Sequence, residues 1–165
     1  MGGHRLYNHH YFLQLSIQIA IENVLQGQGG GPFGALIVKD GQIVSTGRNQ
    51  VLPKHDPTAH AEIEVIRRTG KRFHSPNLNG CILYSSSEPC PMCLSAAYWA
   101  KISLIVFATN CWQIETFGWD DRYIYKQMCT PRQYRSIPSK QLNAPGMFTP
   151  FILWRQLYNG ANYTN

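Results

Sequence analysis

Gly80-Cys81-Ile82-Leu83-Tyr84-Ser85-Ser86-Ser87-Glu88-Pro89-Cys90-Pro91-Met92-Cys93 is the stretch on which the fold turns. Cys81–Tyr84 is a short apolar run after a glycine and reads as a buried strand. Pro89-Cys90-Pro91 then opens a helix that runs to about Ala100, with proline in its first turn. Leu104-Ile105-Val106-Phe107-Ala108 follows as another strand. Upstream, Ala35–Lys39 and Gln42–Thr46 flank Asp40-Gly41, a strong hairpin signal. Between hairpin and strand, Asp56-Pro57-Thr58 opens a helix of about 58–69. Leu13, Ile17, Ala20, Ile21 and Val24 recur at helical spacing over about 9–26. Gly27-Gln28-Gly29-Gly30-Gly31 stops that helix and lacks the spacing and lysine of a phosphate loop. Alternating strands and helices predict a layered α/β sheet with helices on both faces. The pattern is weak over 111–146. Thr149-Pro150 starts a last helix, in which Phe151, Trp154 and Tyr158 keep helical spacing.

A chain of 165 residues with 44% hydrophobic content suits one soluble domain. No run of 18 apolar residues is present, so no transmembrane span is expected. The N-terminal segment, broken by Gln14, Gln18 and Glu22, is not a signal-peptide core. Gly2 is not followed by Ser or Thr at position 6, where Leu6 stands, so myristoylation is not expected. These features predict a cytoplasmic protein. Five cysteines are an odd number and do not suggest a disulfide framework. Cys81, Cys111 and Cys129 read as buried free thiols. A net charge of +6 admits a nucleic-acid partner. The densest basic cluster, Arg67-Arg68 with Lys71-Arg72, follows a helix, where cations favour the dipole and water.

Cys90 and Cys93 are three apart in the first turn of a helix, which places both sulfurs on one face. A helix N-terminus favours the thiolate form. His60 stands near the start of another helix that follows a strand, so the two helix starts can bring one His and two Cys together. Three ligands leave the fourth tetrahedral position open, as in a catalytic rather than a structural zinc site. A lone Cys-x-x-Cys also serves redox chemistry or half of a zinc ribbon, but no second such pair completes a Cys₄ site. Two thiolates cancel the charge of Zn²⁺, so a nearby carboxylate must take the proton of the reacting water. Glu62 is that carboxylate. Glu64 is displaced around the helix axis and reads as a surface or core-rim residue.

His60-Ala61-Glu62 with Pro89-Cys90-Pro91-Met92-Cys93 matches the signature of zinc nucleobase deaminases. Over nearly its whole length the chain resembles the bacterial-type guanine deaminases of the cytidine/deoxycytidylate deaminase superfamily. The resemblance is carried by Gly31-Pro32-Phe33-Gly34-Ala35, Ile37–Gly41, Asp56–Glu62, Cys81–Tyr84, Glu88–Cys93, Tyr98-Trp99-Ala100, Asp120-Asp121, Ile124-Tyr125-Lys126 and Trp154-Arg155. It implies a three-layer α/β/α sandwich around a central mixed five-stranded sheet, one domain over 1–165, and one Zn²⁺ per site. It further implies hydrolysis of guanine to xanthine and ammonia, and a homodimer that exchanges a C-terminal helix of about 149–160. By the same resemblance, Phe33 stacks on the purine, Asn49 bonds the base edge, and Ala61 and Trp99 contribute to the pocket. Asp121 is the second proton carrier, with Asp120 as its fallback, and Tyr163 closes the site. Unaided by the resemblance, Phe33 and Trp99 read equally as core, Asn49 as a turn residue and Tyr163 as a frayed terminus. The chain departs from the family at Ser87, where Cys is common, and in the polar run Ser85-Ser86-Ser87. It departs again in the aromatic stretch 111–117.

Two other functions compete. A tRNA adenosine deaminase shares the zinc motif, and the basic charge suits RNA. Against it, Phe33 stands where that family has a small aliphatic residue, and no Lys or Arg follows Arg155. A zinc-stabilised binding module without turnover is the alternative outside catalysis. Guanosine, ammeline, isocytosine and pterins are the neighbouring small substrates.

Overall fold

The computed structural model describes residues 8–27 and 30–158. Residues up to Tyr123 form one compact unit and those from Ile124 a second. The first unit begins with helix α1 (His9–Leu25). Strands β1 (Gly34–Lys39) and β2 (Gln42–Arg48) follow as a hairpin. Next come the short α2 (Val51–Lys54), α3 (Ala61–Phe73), β3 (Cys81–Ser87), α4 (Pro91–Trp99), β4 (Leu104–Thr109) and α5 (Cys111–Glu115).

Among the described residues the sheet has four strands in the order β2-β1-β3-β4. β1 is antiparallel to both neighbours, and β3 is parallel to β4. A parallel pair needs a crossover, and α4 supplies it. The hairpin turns through Asp40 at φ +50° and Gly41 at φ +79°, both left-handed, the geometry that matches strand twist. The expected fifth strand is absent from the described residues. After β4 the chain enters α5 at once, because Asn110 caps it reciprocally with Gln113. β4 therefore stays an edge, with Leu104 and Phe107 partly exposed.

β3 is buried throughout and β1 nearly so, because helices cover both faces. Strand alternation divides the core. Leu36, Val38, Ile82 and Tyr84 meet Phe12 of α1 on one face. Ala35, Ile37, Cys81 and Leu83 meet Ala61 and Val65 of α3 and Ala97 of α4 on the other.

Four sequence expectations change. The buried stripe of α1 is Phe12, Ser16, Ala20 and Asn23, whereas Ile21 and Val24 are exposed. Ser16 and Ala20 take the middle of the stripe because the helix there meets β1 backbone to backbone: a Cβ on Gly34 would lie 2.4 Å from the Ser16 carbonyl and 2.6 Å from the Ala20 nitrogen. The second helix starts at Ala61 rather than 58, since Thr58 instead closes a turn on the Asp56 carboxylate. Glu64 is buried, not at the surface, and forms ion pairs with Lys54, Arg67 and Arg68. Of the three scattered cysteines, Cys81 is buried, Cys111 half-buried and Cys129 exposed.

The second unit contains most of α6 (Arg122–Cys129), a 3-10 turn at Arg132–Tyr134 and α7 (Thr149–Leu157). Among its described residues, Phe151, Leu157 and Ile137 are largely exposed. No helix among the described residues is long and apolar enough to cross a membrane.

Candidate metal centre and pocket

His60 is the residue just before α3, and Cys90 the residue just before α4. Both helices follow extended backbone, so their N-terminal ends bring the three donors together where the positive ends of the dipoles favour thiolate. His60 Nδ1 lies 3.6 Å from both Cys90 Sγ and Cys93 Sγ. A tetrahedral zinc with ordinary Zn–N and Zn–S bonds requires an N···S edge of about 3.5 Å. Both N···S edges therefore match the ion, and all three ligand atoms lie within 4.8 Å of one another. Cys93 is fully buried and Cys90 nearly so. The hydrogen bond from Cys93, with that from His60, holds the Cys90 thiol down at about 4. Cys93, bonded to Cys90 and buried beside Glu62, is pushed up.

Glu62 sits two residues beyond His60 and is 4% exposed. Its Oε2 lies 3.5 Å from Cys93 Sγ, facing the ligand cluster. Its Oε1 accepts from Ser85 Oγ at 2.9 Å. Burial pushes its carboxyl above the usual range.

A cavity of about 620 Å³ opens onto His60 and Cys90, well within the size of small-molecule sites. Phe33, Asn49 and Asp121 line it, as do Glu88, Ile114 and Trp119. Asn49 Oδ1 accepts from the backbone N–H of Gly31 at 3.3 Å and of Val51 at 3.1 Å, leaving its Nδ2 donor for a ligand. Asn23 braces the same wall, donating to the carbonyls of Gly31 and Asn49. Burial, and then the charge of Cys90, raise the Asp121 carboxyl. Asp120 is instead bound by Arg122, whose hydrogen bonds hold it down at about 2. This separates the two adjacent aspartates, with Asp121 in the cavity and Asp120 in an ion pair.

Of the other expected residues, Ala61 is fully buried between His60 and Glu62, while Trp99 is 61% exposed and outside the cavity lining. Tyr163 lies outside the described residues. Trp119 was not singled out by the sequence. It packs edge-on against Phe33 with centroids 4.9 Å apart and planes at 87°. Gly31 permits this, since a Cβ there would lie 3.1 Å from the Phe33 ring and 3.2 Å from Trp119. The signal for Trp119 was its place beside Asp120-Asp121, obscured by the surrounding aromatics.

Much of the basic cluster is committed to the fold. Arg68 and Arg72 donate to the carbonyls of Thr46 and Val44 on edge strand β2. Arg67 donates to Thr58 and pairs with Asp56.

Comparison with known proteins places this site in context. The cytidine and deoxycytidylate deaminase zinc-binding region matches residues 6–109. Guanine deaminase from Bacillus subtilis is 44% identical over 94% of this chain and 99% of its own. Its crystal structure superposes with a TM-score of 0.90. A solved protein in complex with 2,6-diaminopurine matches 70% of this chain and 64% of its own, at 27% identity and a TM-score of 0.66. The tRNA-specific adenosine deaminase of Aquifex aeolicus is 39% identical, over 59% of this chain and 64% of its own.

Proposed function

The chain belongs to the cytidine and deoxycytidylate deaminase zinc-binding family and to its guanine deaminases, and from that we propose that it hydrolyses guanine to xanthine and ammonia. The observation that carries this reading is the end-to-end match to a guanine deaminase, where the tRNA-specific enzyme matches 59% of the chain. Zinc is the cofactor, and His60, Cys90 and Cys93 would hold it. Bound there, it supplies Lewis-acid activation of water at neutral pH. Glu62 takes the water's proton on its cluster-facing oxygen as the purine C2 is attacked. It then returns protons to the ring nitrogen and the departing amine, so that no net proton is lost. Phe33, braced edge-on by Trp119, stacks on the flat base, and Asn49 donates to its edge. Asp121, kept out of ion pairs by the commitment of Arg122 to Asp120, assists proton delivery to the amine.

The test is ammonia release by the zinc-loaded protein from guanine, guanosine, adenine, cytosine and a tRNA stem-loop. Guanine is expected to be the preferred substrate. No release from guanine would sink the reading. The resemblance to a tRNA-specific deaminase and the charge of +6 favour RNA as the second possibility. Turnover that falls steeply with salt on the stem-loop, and is absent on the free base, would decide for RNA.

The working form is a homodimer. Phe151 and Leu157 of α7 are each 72% exposed, and β4 is an edge strand with exposed Leu104 and Phe107. Apolar surface of this kind marks an interface, and a second copy exchanging its C-terminal helix would cover it, with Tyr163 closing the pocket. Sedimentation is expected to give twice the chain mass. A monomer with full activity would refute both the exchange and the shared lid.

A further inference from the structure

The last three residues of β3, Ser85, Ser86 and Ser87, are buried hydroxyls, and each has its own partner. Ser86 Oγ accepts from the Gly34 backbone N–H at 3.0 Å, and Ser87 Oγ donates to the Thr109 carbonyl at 3.4 Å. Both serve the backbone. Ser85 Oγ instead donates to Glu62 Oε1 at 2.9 Å. Ser85 is 1% exposed and Glu62 4%, so bulk water does not compete for that oxygen. Across the neighbouring strands Ser85 faces Ala35 and Phe107, whose side chains offer no hydrogen bond.

We infer that Ser85 is the positioning residue for Glu62, an inference that rests on the proton-shuttle reading above. The last torsion of a glutamate is broad and roughly two-fold, so an unrestrained carboxylate rotates. Tying Oε1 to the central strand stops that rotation. Oε2 is then left facing the ligand cluster, 3.5 Å from Cys93 Sγ. Ser85 is not among the residues lining the cavity, and the bond of its hydroxyl goes to Glu62. It contributes by narrowing the orientations from which Glu62 accepts and returns a proton.

The experiment is Ser85→Ala, which removes one atom and leaves the strand unstrained. Steady-state kinetics and zinc content are measured on the loaded protein, and thermal unfolding on the metal-free protein. A hydrogen bond to a charged group corresponds to about 10- to 100-fold in rate. Ser85→Ala is expected to lower kcat by that factor, with KM within about twofold and full zinc content. In the metal-free protein it is expected to lower Tm by several degrees, and to have almost no effect once Glu62 is Ala, because the lost contact is shared. Unchanged kcat, or an equal Tm shift in both backgrounds, overturns the inference. If wild-type protein releases no ammonia from guanine, the proposed function fails. The metal-free comparison still decides whether Ser85 holds Glu62.

Discussion

Glu62→Gln is expected to abolish ammonia release from guanine while the protein keeps one zinc per chain. Glu62 is outside the group of three donors that converge on the metal position. An amide of the same shape keeps the packing and can still accept from Ser85, but it cannot take a proton from water. Removing a general acid–base group costs about 10²–10⁴-fold. Glu62 handles several transfers in one turnover, so the upper end is expected. Stability should move the other way. Burial raises the Glu62 carboxyl in the metal-free fold. A raised carboxyl holds its proton in the folded chain where the unfolded chain has lost it. The stability this contributes is present below the unfolded value and lost as pH rises through the folded value. At a pH above the folded value the ionised group is therefore a burden, and there metal-free Glu62→Gln is expected to melt no lower than wild type. Wild-type ammonia release by this variant would remove Glu62 from the mechanism and favour a binding module.

Cys93→Ala is expected to lose zinc and activity together. Cys93 Sγ is one of only two sulfurs in the cluster, 3.6 Å from His60 Nδ1 and fully buried. Two remaining ligands do not make a catalytic zinc site. Binding energy at such a site is also folding energy. At free zinc a hundred times the dissociation constant, the wild-type fold gains about 2.7 kcal/mol. Added zinc should therefore raise the Tm of wild type and leave that of Cys93→Ala unchanged. Chelation should bring wild type to the same inactive state, reversibly. Stoichiometric zinc in Cys93→Ala, measured by elemental analysis, would refute the ligand assignment.

The zinc residues were legible because their chemistry is local. Cys90 and Cys93 lie within one helical turn, and Glu62 is two residues from His60. The hairpin was legible for the same reason, since Asp40-Gly41 carries its own turn geometry. The stripe of α1 was not. Hydropathy favoured Ile21 and Val24, but the helix turns Phe12 to the sheet and sets Ser16 and Ala20 where Gly34 approaches closely. Glu64 was read from its place on a helix as a surface or core-rim residue, and its pair with Lys54, ten positions earlier, is one that helix spacing does not show. The fifth strand was carried by resemblance, and among the described residues the chain passes from β4 into α5, capped by Asn110, with no fifth strand. The basic cluster looked free because strand carbonyls on a neighbouring element do not appear in a sequence.

By itself the sequence showed the two short motifs, His60-Ala61-Glu62 and Cys90-Pro91-Met92-Cys93, and the strand–helix units that bear them, because each motif lies within one helical turn. Only the tertiary structure decided which groups share the cavity. It put Asp121 there and bound Asp120 to Arg122, set Trp119 against Phe33, and joined Ser85 to Glu62 across 23 positions. These pairings depend on how helices and strands stack, and no spacing along the chain encodes that.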